Sequence, residues 1–206
     1  MVKTSSLVLM LAAVSASATP AIPSFELSAA QLQSSLAAMR GAQIKAKAGD
    51  MAPRIVRMAS DLQRCQRTAT RLRSDLRLLV VRLREHQPGR PDNDPTLSLD
   101  VQRFTQDLAQ LARDAQWRLS DLRFLSAQAE QDETLVAPAS RLLDAARRFK
   151  GETNRLRMEA RSAYPDFVDA GFDFEGMDVD RDSRDTDERA QDIQNEADEL
   201  LTKVRG

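Results

Sequence analysis

Three observations predict an all-α protein, an antiparallel helical bundle with coiled-coil-like heptad packing followed by an acidic C-terminal segment and a short terminal helix. Apolar residues recur at alternating spacings of 3 and 4 along most of the 206 residues, a period that one helix face can use and a strand cannot. Aromatic residues make up 4% of the chain and charged residues 30%, which suits long helices better than a sheet sandwich. The Pro and Gly clusters fall between the periodic runs, where a bundle needs turns.

The N-terminus has the layout of a signal peptide over residues 1–18. Lys3 supplies the positive start, Leu7 to Val14 the short apolar stretch, and Ala16-Ser17-Ala18 the small-residue cleavage site. The expectation is export to the periplasm or the extracellular space. The apolar run is too short to span a bilayer, so no stable membrane insertion is expected once it is removed. Cys65 lies far from that site, against a lipid anchor on a nearby Cys.

A helical bundle domain is expected over 19–165. Ala29, Leu32, Leu36, Met39 and Ala46 suggest a first Ala-rich helix ending near Gly49. The strongest seam follows over 51–87, with Ile55, Met58, Leu62, Cys65, Ala69, Leu72, Leu76, Leu79, Leu83 and His86 spaced 3 and 4 throughout. Asp50 is its expected N-cap, Pro53 falls in its first turn and Pro88-Gly89 ends it. Pro88 to Pro95 reads as a loop. A third seam runs from Val101 through Phe104, Leu108, Leu111, Ala115, Arg118, Leu122 and Leu125 to Ala129, with Ser98 as its candidate cap.

The fourth seam uses Leu135, Ala139, Leu142, Ala146, Phe149, Thr153, Leu156, Ala160 and Ala163. Its alanines imply close helix approach rather than a wide interior. Between the third and fourth seams the expectation is a turn at Glu130 to Glu133 with Pro138 in the first turn of the next helix, the alternative being one long helix kinked at Pro138. Tyr164-Pro165 is expected to close the body. Residues 166–185 then read as an acidic, Phe-containing linker, and 186–206 as a C-terminal helix with Ala190, Ile193, Ala197, Leu200 and Val204 at the same spacing.

Charge is divided along the chain. Residues 27–165 hold 24 Lys and Arg against 16 Asp and Glu, whereas 166–206 hold 5 against 14. Arg outnumbers Lys by 25 to 5, and its planar fork suits carboxylate or phosphate. Arg57, Arg64 and Arg71, seven apart, form a stripe facing away from the second seam. It is either a solvated face or an anion contact. Export argues against nucleic acid as that anion, and the nearest acid is the chain's own tail. Residues 166–188 are therefore expected to fold back on the basic helix, anchored in an inter-helix groove by Phe172 and Phe174. Asp100, Asp107, Asp114 and Asp121 form a second stripe, and Arg118 sits between two of its acids. Arg118 either fixes register or turns outward while Leu119 fills the seam.

Asp178, Asp180 and Asp182 are the candidate metal ligands, since alternating Asp residues resemble part of a Ca2+ loop. The pattern departs where a turn wants Gly, at Ser183, and where a bidentate Glu is needed, at Arg189. The competing reading is a solvated acidic linker with no cofactor at all. One His and one Cys exclude zinc sites built from several of them, Cys-ligated iron-sulfur clusters and an internal disulfide framework. Cys65 is expected to be a buried thiol, or else an intermolecular disulfide. His86 is placed to cap a helix C-terminus. No Walker loop, HExxH or haem-attachment motif is present, so no catalytic residue is assigned and no enzyme is expected. The function expected is that of an exported, non-enzymatic helical protein binding another protein or a second copy of itself. The alternative is a ligand-responsive or chaperone-like bundle that opens at the acidic segment.

Overall fold

A computed structural model describes residues 29–86 and 95–206. Among them there are four helices and no strand: α1 (Ala29–Glu85), α2 (Pro95–Gln128), α3 (Glu133–Asp169) and α4 (Asp173–Arg205). The helices pack against one another as a bundle. The signal-peptide expectation, and most of the loop expected at Pro88 to Pro95, lie outside the described residues. The chain divides into two compact units, Met1–Gly41 and Ala42–Gly206. The first contributes only the start of α1 to the described residues. The second contains the rest of α1, the other three helices and the core.

The core is the set of seams. Ile55, Met58, Leu62, Cys65, Ala69, Leu72, Leu76, Leu79 and Leu83 of α1 are all buried. So are Val101, Phe104, Leu108, Leu111, Ala115, Leu119, Leu122 and Leu125 of α2, and the whole expected row of α3 from Leu135 to Ala163. Leu119 is 3% exposed and takes the seam position beside Arg118, which turns to Asp61 of α1 at 3.1 Å.

Polar pairs record which helices are neighbours. From α1 to α2 they join Asp61 to Arg118, Arg71 to Asp107 and Arg82 to Asp100. From α1 to α3 they join Arg73 to Glu152, Arg77 to Glu159 and Arg84 to Asp166. Helix α4 packs on α3 and on α2. On the α2 side, Arg189 donates to the Ala112 carbonyl at 2.9 Å and Lys203 to Ser126 Oγ at 3.0 Å.

Several expected boundaries are corrected. The break near Gly49 and Asp50 is absent, and one helix of 57 residues runs through both and through Pro53. Gly breaks a helix when it takes positive φ, and among the described glycines only Gly171 and Gly206 do so. Ser98 does not cap α2, which begins at Pro95; its missing N–H costs nothing at a first helical position. The turn before α3 does form. Asp132 caps α3, its side chain accepting from the Thr134 N–H at 2.7 Å, and Pro138 lies inside that helix.

Tyr164-Pro165 does not close the body, because α3 continues to Asp169. Pro165 forfeits one backbone hydrogen bond, while continuation buries Phe167 completely and leaves Ala170 only 5% exposed. The expected linker over 166–185 is likewise helix except for one tight turn. Its hidden row is Gly176, Val179, Ser183, Thr186 and Ala190, all buried at the same 3 and 4 spacing. Small and hydroxylic residues hold that seam, so it carries little apolar signal.

Candidate functional site: the α3–α4 groove

The site begins with how α3 stops. Gly171 has φ +83°, its N–H donates to the Val168 carbonyl at 3.0 Å, and the Phe172 N–H donates to the Phe167 carbonyl at 2.8 Å. This is a Schellman ending, with Phe167 in the core and Phe172 packed against that core. Three residues therefore separate the end of α3 from the start of α4 at Asp173. Asp173 and Glu175 lie in the first turn, where acidic groups interact well with the helix dipole.

Gly176 lets the two helices close. A Cβ there would stand 2.8 Å from Phe167 Cβ and 3.2 Å from the Tyr164 ring. With Gly176 and Val179 turned inward, Phe174 and Met177 turn out, because residues two apart on a helix point about 200° from each other. Phe174 is 81% exposed and Met177 57%. They border a groove of about 650 Å³ whose other wall is Arg161, Tyr164 and Pro165 of α3.

The rim is charged. Arg181 reaches Asp178 at 3.0 Å and Asp182 at 3.1 Å, and these carboxylates raise its pKa above the usual value, the hydrogen bond to Asp182 contributing most. Arg161 and Arg184 also line the groove, are exposed, and form no ion pair among the described residues. The groove thus combines an apolar wall, Arg181 held by Asp178, the two open arginines, and the carboxylate of Asp180.

Beyond the groove, the α3–α4 contact is fastened by a buried carboxylate. Asp187 is 2% exposed and accepts from Lys150 Nζ at 2.6 Å, Thr153 Oγ1 at 3.1 Å and Arg157 at 3.2 Å. Both oxygens are satisfied, as a charge in this position requires. Sequence analysis missed this cluster. The available signal was Thr153, the one hydroxyl in the α3 seam.

The predicted site residues are dispersed. Arg57 and Arg64 are exposed on α1 and make no ion pair among the described residues, whereas Arg71 bonds Asp107 of α2 at 2.8 Å. Phe172 packs against the core, its ring 6.2 Å from that of His86. Phe174 is not the expected anchor, because its helical phase sends it outward. Of the acidic segment expected to fold back on the basic helix, Asp166 bonds Arg84 of α1, the Phe172 ring lies beside His86 at the end of α1, and α4 packs on α3 and α2.

Asp178, Asp180 and Asp182 lie on helix α4, not in a loop. Asp178 and Asp182 share a side and hold Arg181, while Asp180 is turned about 200° from each of them. No group of three or more potential metal-ligating side chains is assembled among the described residues. Cys65 is a buried free thiol; burial, reinforced by Asp114, pushes its pKa from 9.0 to about 11. It is protonated and a poor nucleophile at neutral pH. No helix among the described residues is long and apolar enough to cross a membrane. No protein-family model, curated protein or solved structure matches the chain.

Proposed function

We propose that the protein is an exported, non-enzymatic interaction module whose α3–α4 groove receives an acidic amphipathic helix. The carrying observation is Phe174, 81% exposed, with Met177 next to it, between Arg161 and Arg184, which form no ion pair among the described residues. Large apolar side chains held out of the core beside open cations match a partner that presents leucines on one face and carboxylates along its edges. The leader-like N-terminus supports an extracytoplasmic setting.

The same reading takes the bundle as up-and-down with heptad packing. Support comes from the order of the pairs: α2 numbers fall from Arg118 to Asp100 as α1 numbers rise, whereas α3 numbers rise with those of α1.

The test is a fluorescence anisotropy titration of the mature protein with a labelled helical peptide carrying leucine on one face and glutamate on the others. Saturable binding is expected, weakened at least about tenfold in Phe174→Ser/Met177→Ser. Equal affinity for that variant, or equal binding of a scrambled peptide, overturns the assignment.

A further inference from the structure

Between α1 and α2 lies a second groove of about 590 Å³. Among its lining residues Leu78 is 68% exposed and Val81 53%, and Leu99, next to the lining residue Asp100 on α2, is 62% exposed. The groove floor is apolar, formed in part by Leu72, Leu79 and Phe104. A projecting leucine thus stands at the border of an apolar trough, a knob and a hole on one face.

The charges around this groove are of both signs. Arg82 with Asp100, and Arg71 with Asp107, form ion pairs within the chain. Arg103 of α2 is exposed with no ion pair among the described residues. Asp75 of α1 is 49% exposed, with a single long contact of 3.8 Å to Arg71. One open cation and one loosely held anion therefore flank the same trough. A partner of a single charge sign would satisfy one and repel the other. A two-fold-related copy satisfies both, because it brings its own Asp75 to Arg103 and its own Arg103 to Asp75.

We propose that this face is a homodimer interface, in which Leu78 of each copy enters the α1–α2 groove of the other and Arg103 pairs with Asp75 across the two-fold axis. The contact does not involve Phe174 or Met177, so it stands or falls independently of the partner groove.

Sedimentation velocity on the mature protein from about 2 to about 500 μM tests it, a range that covers micromolar dissociation constants. A monomer–dimer equilibrium is expected, with Leu78→Glu remaining monomeric throughout. Because Leu78 is already exposed, this variant should keep the parent's circular dichroism and melting temperature. Arg103→Asp should weaken dimerisation at least about tenfold, and Arg103→Asp/Asp75→Arg should restore it, because the swap recreates the cross-axis pair. Trp117→Ser, at an exposed position elsewhere on α2, should leave the dimer intact. A monomer at every concentration overturns the proposal, as does a dimer that survives Leu78→Glu or is lost in Trp117→Ser.

Discussion

Along the α1–α3 boundary Arg73, Arg77 and Arg84 meet Glu152, Glu159 and Asp166, whereas around the α3–α4 groove Arg161 and Arg184 meet no carboxylate among the described residues. The residue type is the same in both places; the facing row differs. Glu152, Glu159 and Asp166 recur every seven residues along α3 and present one acidic edge to α1. Arginines opposite that edge are closed. The hydrogen bonds that Arg77 donates to Glu159 and Arg84 donates to Asp166 raise the pKa of both arginines above the ordinary value, although both cations remain largely in solvent. Arg161 lies off the edge and is open. The lesson is that an arginine is closed where a row of carboxylates stands opposite it, and the count of arginines says little.

Closed charge inside the bundle should matter most. Asp187→Ala leaves Lys150 and Thr153 facing an empty site and is expected to cost about 3 kcal/mol in urea unfolding, the usual penalty for breaking a buried pair. Replacing Lys150 by Met in that background should recover part of the loss. A cost under about 1 kcal/mol for Asp187→Ala would show that Asp187 is effectively solvated.

Next is the close approach that forms the groove. Gly176→Ala puts a methyl 2.8 Å from Phe167 Cβ. A helix-interior Ala is intrinsically better than Gly by up to about 1 kcal/mol, but overpacking should outweigh that gain, giving a net loss of about 1 kcal/mol. A gain in melting temperature would mean that the α3–α4 approach is looser than described.

How much of this was legible depended on what fills each seam. Rows of Leu, Ile and Ala, as from Ile55 to Leu83 and from Leu135 to Ala163, show their period because the side chains that pack are also the hydrophobic ones. The stretch after Pro165 conceals its helix because Gly176, Ser183 and Thr186 do the packing while Phe174 and Met177, the residues that catch the eye, point away. Helix phase, not composition, decides which phenylalanine is buried, and phase is lost when the inward row is small and polar. The stop at Gly171 was legible in principle, as a Gly between two apolar positions, but Pro165 six residues earlier offered a more conspicuous boundary. Asp100 and Asp107 were visible as a stripe. Which arginines they would close was not, since that depends on how α1 is registered against α2.

The third prediction concerns Cys65, a buried neutral group beside these charges. Its pKa rises from 9.0 to about 11 on folding, so the folded state favours the protonated thiol. That contribution is fully present below pH 9 and is lost as pH rises through about 11. The stability difference between the parent and Cys65→Ala should therefore be constant at neutral pH and shrink by on the order of 1 kcal/mol near pH 10. A difference that stays flat to pH 11 would contradict the burial of the thiol.

The smallest effects separate closed from open arginines directly. Arg73→Met removes a partly buried pair with Glu152 and should cost about 0.5–1 kcal/mol, while Arg184→Met should leave the unfolding midpoint where it is. Equal losses would erase the distinction between the two regions.

Chemical-shift mapping is the sharpest check on the proposal that the open arginines and exposed Phe174 form the binding face. Adding the leucine and glutamate helix peptide to 15N-labelled protein should move backbone resonances around Arg161, Tyr164, Phe174, Met177 and Arg184, and leave those around Arg73, Arg77 and Arg84 in place. Shifts concentrated instead on the Arg57 and Arg64 face of α1, or no shifts at saturating peptide, would contradict it.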